Sequence, residues 1–203
     1  MTVPVPARRC TPEEYLASER DALERHEYYR GEVFAMSGGT FEHSRICANV
    51  IRELGNRLAG KPCGVQDSNL RIRVPRTTLY TYPDASVLCG DPQFDPLDTG
   101  RQTLTNPTLI VEVLSPPTES WDRGGKFDNY RLINSLQEYV LVRSDSARVE
   151  SFLRQPDGRW MFGVAVGMEA TAQLSSIQVD LPLAEVYRGV ELPVQANPSQ
   201  PPA

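Results

Sequence analysis

The sequence is poor in the residues that mark several common classes of protein. It holds two histidines and four cysteines among 203 residues, and no two cysteines stand in a CxxC pair. A histidine-rich metal cage, a zinc site and a disulfide framework are therefore not expected, and a reducing cytoplasm is the simplest location for scattered thiols. No apolar run approaches the roughly eighteen residues that cross a membrane, so no membrane association is predicted.

Positive charge is also scarce. The chain has 21 lysines and arginines against 26 acidic residues, and its formal net charge is −5. Proteins that bind DNA tightly without sequence preference are usually basic, because phosphate contacts supply most of their affinity. The balance counts against such a protein. It does not exclude an enzyme with a local basic groove and a bound divalent cation.

Several sequence signatures are absent as well. The first nine residues have no apolar stretch of the kind found in a secretory signal. No phosphate-binding loop, nucleophile elbow or dinucleotide-binding glycine pattern occurs, so no organic cofactor is predicted.

The remaining composition is that of an ordinary globular protein, with 40% hydrophobic and 23% charged residues. Its length suits one domain with a substantial core. We expect a flexible N-terminus at 1–10, a single domain at 11–190 and a disordered proline-rich tail at 191–203.

Periodicity predicts a mixture of helices and strands, hence an α/β or α+β fold. Thr11, Pro12 and Glu14 form a helix start with a capping box. The apolar spacing between 41 and 59 predicts the longest helix. The other predicted elements are a hairpin at 26–36, strands at 63–66, 69–74, 82–89, 108–114, 138–143, 148–154, 160–166 and 174–180, a long loop at 91–107, a helix at 125–133 and a helical turn at 184–187.

Glu112 is the most informative single residue, because it lies inside the most apolar strand of the chain. Burial of an unpaired carboxylate costs several kcal/mol, which is comparable to the stability of a whole domain. A metal, a cation or a proton must neutralise it. A structural pairing with an arginine is the alternative, and the strand alone does not decide between them.

Asp84 and Lys126 become candidate site residues because each could act together with Glu112. Asp84 follows Pro83 at the start of a predicted strand, and two strand-borne carboxylates would give the hard oxygen ligands that Mg²⁺ or Mn²⁺ prefers. Lys126 begins the next predicted helix, with Tyr130 four residues later on the same face. A cation there could orient water or stabilise a transition state. Taken singly, a turn aspartate and an exposed lysine are the simpler interpretations.

Other polar residues leave two interpretations open. His43 shares a helix face with apolar residues, so it is either a boundary histidine or a proton shuttle. Glu27 and Glu32 flank the hairpin turn, where glutamates are usually solvated. Arg71 and Arg73 alternate along a strand and share a face. They either contact nucleic-acid phosphates or are exposed arginines on an edge strand.

Six segments together resemble the Uma2 family of restriction-endonuclease-like proteins, within the PD-(D/E)XK nuclease superfamily. The resemblance covers roughly 11–188. The segments are EYYRGEV at 27–33, FEHS at 41–44, YPDASV at 82–87, LIVEVLSP at 109–116, DRGGKF at 122–127 with the later Tyr130, and LQEYVLV at 136–142.

The resemblance implies a mixed central sheet flanked by helices and a Mg²⁺ or Mn²⁺ ion held by Asp84 and Glu112. It implies catalytic roles for these two residues and Lys126, with further family positions at His43 and at Glu27 or Glu32, of which Glu32 is taken as the candidate. The superfamily lysine usually stands two residues after the acidic residue, where this chain has Leu114, and the resemblance moves that role to Lys126. Arg123 joins Arg71 and Arg73 as a predicted nucleic-acid contact.

The function implied is metal-dependent endonucleolytic hydrolysis of DNA in the cytoplasm, by an enzyme that restriction-like folds suggest is a homodimer. The alternative is a nuclease fold without turnover that serves as a binding or regulatory module. The acidic net charge and the missing lysine in the strand favour this alternative.

Overall fold

The computed structural model describes residues 9–36 and 38–193. Most of the predicted flexible N-terminus and of the predicted tail lies outside these residues. The helices of the described residues are α1 (Pro12–Arg20), α2 (Phe41–Leu58), α3 (Glu119–Trp121), a π-helical turn (Asp122–Lys126), α4 (Phe127–Tyr130) and α5 (Leu183–Val186). The strands are β1 (His26–Tyr29), β2 (Glu32–Ala35), β3 (Cys63–Asp67), β4 (Arg71–Val74), β5 (Leu79–Thr81), β6 (Ala85–Cys89), β7 (Thr103–Leu104), β8 (Leu109–Leu114), β9 (Glu138–Arg143), β10 (Arg148–Arg154), β11 (Trp160–Val166), β12 (Thr171–Leu174) and β13 (Val179–Pro182).

A six-stranded sheet in the order β11-β10-β9-β8-β6-β3 forms the centre. It is mixed, because β8 and β9 run parallel while the other neighbours are antiparallel. All six residues of β8 are buried. Strands covered on both faces are continuously apolar, and Glu112 interrupts such a run.

Helices cover both faces of this sheet. Val111 and Val113 of β8 pack in the same core cluster as Ile46 and Val50 of α2. On the other face, Ile110 shares a second cluster with aromatic and aliphatic residues that include Tyr130. The expected fold class, a mixed central sheet flanked by helices, is confirmed.

A second, five-stranded sheet has the order β2-β1-β5-β4-β7 and carries the N-terminal hairpin. Strand β1 joins β5 through the pair Tyr28 and Tyr80. These two rings pack with Tyr15 of α1 in a small buried cluster. The cluster fixes the hairpin against the rest of the molecule, and Glu27 is carried with it.

The N-terminal helices form for the reasons given by their sequences. Thr11 and Glu14 make the predicted capping box at α1. Thr40 caps α2 by accepting a hydrogen bond from the backbone amide of His43. The buried residues of α2 include Ile46, Val50, Leu54 and Leu58, at the spacing of one helix face.

Several elements of the structure differ from the predicted ones. The helix expected at 125–133 begins earlier, at Glu119, and contains the π-helical turn. Gly125 permits this turn, since a Cβ there would lie 1.8 Å from the indole ring of Trp121. Strands β5 and β7 were not predicted, and β7 lies inside the loop expected at 91–107. The strand expected at 174–180 is instead a hairpin of β12 and β13, which pair in antiparallel register.

A disulfide framework was not expected, and the structure has one disulfide that the sequence analysis missed. Cys63 and Cys89 stand opposite each other in the antiparallel pair β3–β6 and are disulfide-bonded. They are 26 residues apart in the chain, so only the strand pairing brings them together. The bond weakens the cysteine argument for a reducing compartment. Within the described ranges, no helix is both long and apolar enough to cross a membrane.

Candidate active site

Strand pairing places the two predicted acidic residues beside each other. Ala85 of β6 stands opposite Val111 of β8, and this register continued by one residue puts Asp84 beside Glu112. Oδ2 of Asp84 accepts a hydrogen bond of 2.7 Å from the backbone amide of Val113. Asp84 is therefore fixed to the strand that carries Glu112.

Glu112 is buried, with 3% of its surface exposed. Its Oε1 accepts hydrogen bonds from Nζ of Lys126 at 3.1 Å and from the hydroxyl of Tyr130 at 2.8 Å. Lys126 and Tyr130 are four residues apart and reach the same oxygen from one helical segment. The predicted contact between Glu112 and Lys126 is present in the structure.

Lys126 contacts more negative charge than it can neutralise. Its Nζ lies 3.2 Å from Glu27, 3.1 Å from Glu112 and 3.2 Å from Asp122. Three carboxylates and one ammonium leave a formal surplus of two negative charges if all are ionised. The contact with Asp122 Oδ1 is an ion pair by distance only, because that oxygen has no well-aligned hydrogen bond to any described residue.

The pKa values of the cluster follow from burial and from this surplus. Burial, with help from Asp122, Asp84 and Glu27, raises the pKa of Glu112 well above its usual value, against the effect of Lys126. Burial also raises the pKa of Asp122. Burial alone would lower the pKa of Lys126, but the surrounding carboxylates outweigh it and raise that pKa. Lys126 is thus held in its charged form.

His43 lies on the other side of Asp84. Its Nε2 is 3.4 Å from Oδ2 of Asp84, and 19% of each side chain is exposed. The hydrogen bond to Asp84 is the main cause that raises the pKa of His43, against the effect of burial. Gly39 lies close to the ring, because a Cβ at that position would be 2.7 Å from Nδ1. Of the predicted residues, His43, Asp84, Glu112 and Lys126 come together.

Glu32 is placed differently. It pairs with Tyr29 across the hairpin, and its carboxylate lies 3.5 Å from Arg9 at the surface. The hairpin glutamate that reaches the cluster is Glu27, which also accepts a hydrogen bond from Thr81. A catalytic role for Glu32 stays a prediction, and no described contact supports it.

The predicted nucleic-acid-binding arginines contact carboxylates within the protein. Arg71 is buried and binds Asp98, and Arg73 is paired with Asp95. Strand β4 lies between β5 and β7, so the alternative that placed exposed arginines on an edge strand is wrong. Arg123 binds Glu119 and Glu150. Phosphate contacts by these three arginines stay a prediction, and the pairing favours structural roles.

Two members of the cluster were not selected from the sequence. Asp122 precedes Lys126 by four residues, which is the spacing of an ion pair along a helix, so its position carried a signal. Glu27 carried none that separated it from Glu32, because both flank the same turn. Only the joining of β1 to β5 brings Glu27 to Lys126.

The donor set fits a hard divalent cation. Among the described residues, both hydrogen bonds that Glu112 accepts fall on Oε1, and the contacts of Asp84 with Val113 and His43 fall on Oδ2. Oε2 of Glu112 and Oδ1 of Asp84 make none of these contacts and can face a ligand. Mg²⁺ and Mn²⁺ favour such carboxylate oxygens, and the negative surplus would be reduced by their charge.

The fold is that of a restriction-endonuclease-like domain, and comparisons agree. The crystal structure of a "putative nuclease belonging to DUF820" from Anabaena variabilis has a TM-score of 0.65 to this chain. It covers 85% of this chain and 97% of its own, at 16% sequence identity. At that identity the likeness concerns the fold alone.

The chain belongs to the Uma2 family, whose model, described as "Putative restriction endonuclease", matches residues 12–184. Two proteins of a Synechocystis species are similar to it. The uncharacterized protein slr1290 is 39% identical over 91% of this chain and 95% of its own length. The uncharacterized protein sll1609 is 31% identical over 88% of this chain and all of its own.

Proposed function

We propose that the protein is an endonuclease that hydrolyses phosphodiester bonds of DNA with Mg²⁺ or Mn²⁺ bound by Asp84 and Glu112. The single observation that carries the proposal is that the β6–β8 register puts Asp84 opposite Glu112, whose carboxylate lies in a cluster with more negative charge than its lysine neutralises. Family membership supports it. When bound, such an ion polarises a phosphate and lowers the pKa of its water.

The residues of the chain have distinct parts in this proposal. Lys126 and Tyr130 fix Oε1 of Glu112, while the amide of Val113 and the ring of His43 fix Asp84. Lys126 is held protonated, so it can stabilise negative charge that develops on the reacting phosphate. His43 is partly exposed beside Asp84, where it can pass a proton to or from solvent.

Plasmid nicking by purified protein in Mg²⁺ or Mn²⁺ tests the proposal. Wild type should nick, and Asp84→Ala and Glu112→Ala should lose at least about a hundredfold in rate. Glu150→Gln is the matched control, because Glu150 is also a buried strand glutamate but binds two arginines. Equal nicking by wild type and both alanine variants would refute the assignment.

Calorimetry with Mn²⁺ separates catalysis from binding. Wild type should bind the ion, and Asp84→Ala should bind it much more weakly. Binding without nicking would support the alternative of a regulatory module. A sedimentation experiment tests the homodimer that cutting of both strands would require.

A further inference from the structure

We propose that His43, Cys47 and Asp84 form a second cation site, selective for a thiophilic divalent ion of the Zn²⁺ class. These three residues each offer one ligand atom, and the three atoms lie within 4.8 Å of one another. The site is distinct from the pairing of Asp84 with Glu112 because it adds a nitrogen and a sulfur donor. The binding itself does not depend on the nuclease proposal.

The helix supplies two of the ligands in suitable positions. His43 and Cys47 are four residues apart on α2 and share a face. Sγ of Cys47 is 3.6 Å from Nδ1 of His43, and Nε2 of His43 is 3.4 Å from Oδ2 of Asp84. Tetrahedral zinc with bonds of about 2.0–2.3 Å puts neighbouring donors roughly 3.3–3.8 Å apart. Since the two distances use different ring nitrogens, a small ring movement must bring one nitrogen to both partners.

The donor chemistry selects the ion. A thiolate and an imidazole favour Zn²⁺ over Mg²⁺, which prefers oxygen ligands. Three protein ligands leave a fourth position for water. A cysteine binds Zn²⁺ as a thiolate, so each Zn²⁺ bound should release one proton from Cys47.

The site is reachable and its residues are not committed elsewhere by covalent bonds. His43 and Asp84 are each 19% exposed, and Cys47 is a half-buried thiol outside the disulfide. Cys63 and Cys89 are bonded to each other, so they do not compete for the ion under non-reducing conditions. The competing interpretation is that Cys47 only fills space against the core beneath α2.

Sharing of Asp84 gives the site a consequence, which rests on the proposed nuclease function. A carboxylate drawn toward His43 and Cys47 is less able to hold a hard ion beside Glu112. Zn²⁺ should therefore inhibit Mg²⁺-supported cleavage, and the inhibition should weaken in Cys47→Ser.

Cobalt substitution and competition for Zn²⁺ against a chelating dye test the binding without any activity assay. Co²⁺ should give a thiolate charge-transfer band in wild type and in the control Cys10→Ser, and no such band in Cys47→Ser. Zn²⁺ affinity should fall at least about tenfold in Cys47→Ser and in His43→Gln. Circular dichroism shows whether each variant is folded.

The outcomes separate the two proposals. Wild-type Zn²⁺ affinity in folded Cys47→Ser, or absence of the charge-transfer band in wild type, overturns the second site and leaves the nuclease proposal untouched. If the protein shows the charge-transfer band but does not nick DNA, the Zn²⁺ site is supported and the nuclease proposal is refuted. Equal inhibition of Cys47→Ser and wild type by Zn²⁺ would refute the idea that the two cation sites share Asp84.

Discussion

Glu112 and Glu150 are two buried glutamates of one sheet, and one π-helical turn supplies a cation to each. Lys126 of that turn binds Glu112, and Arg123 binds Glu150. Arg148 adds a second cation at Glu150, whereas Glu112 shares its cation with two more carboxylates. The pKa of Glu150 is lowered, because the arginines outweigh burial, while that of Glu112 is raised.

The comparison separates a structural carboxylate from one suited to chemistry. Burial alone does not mark a site, because both side chains are nearly inaccessible. The local charge balance does. At Glu150 two arginines balance the two carboxylates of Glu150 and Glu119, so the protein itself completes the neutralisation. At Glu112 anions exceed cations, and a proton or a metal ion must complete it.

The largest effect should come from removal of the shared cation. Lys126→Met leaves three carboxylates together in a buried place, and we expect the free energy of unfolding to fall by about 3–5 kcal/mol at pH 8. The loss should shrink toward pH 5, because protonated carboxylates no longer repel one another. Urea unfolding at both pH values measures it. A loss that is equal at both would show that the lysine acts through packing alone.

Glu112→Gln should have the opposite sign, with a gain of about 1–2 kcal/mol at neutral pH. The raised pKa of Glu112 means that the folded wild type retains a proton that the unfolded chain releases above about pH 4.5. Wild-type stability from this group is complete below that pH and is lost as the pH rises toward the folded pKa. The stability difference should therefore vanish in acid and grow above pH 4.5. The reverse trend would contradict the charge surplus.

Glu150→Gln should destabilise the protein by about 1 kcal/mol, and the partial exposure of both arginines limits the loss. The lowered pKa of Glu150 means that its stabilisation is present above pH 4.5 and lost as the pH falls through the folded value. Thermal unfolding at neutral pH gives the sign. If Glu150→Gln stabilised the protein, as Glu112→Gln is expected to do, the distinction between the two glutamates would be contradicted.

The smallest effect should be that of Gly125→Ala, which adds a methyl group where the Trp121 ring lies. Trp121 is partly exposed and can swing away, so we expect a loss of about 1 kcal/mol. Gly124→Ala is the matched control, because nothing lies within 4 Å of an added Cβ there. Gly124→Ala should be neutral or stabilising, because alanine has the higher helix propensity. Equal changes in stability in the two variants would show that the Trp121 ring does not set the cost of Gly125→Ala.

Features of the site that depend on residues close together in the sequence could be predicted, and features that depend on contacts between distant residues could not. Glu112 was evident from its apolar run, Lys126 was selected mainly through the family resemblance, and Tyr130 was placed by its helical spacing from Lys126. The disulfide between Cys63 and Cys89 and the choice of Glu27 over Glu32 depend on which strands pair. Pairing between distant strands is set by the whole core, so no local pattern contains it.

The π-helical turn has an evolutionary consequence. Each residue of an α-helix advances the chain by roughly 100° around its axis. Deletion of one residue from Asp122–Lys126 would therefore turn the lysine away from its strand while both sheets kept their registers. Under the proposed nuclease function, a single short deletion here would abolish cleavage and spare the fold, and an insertion at the same place would restore it.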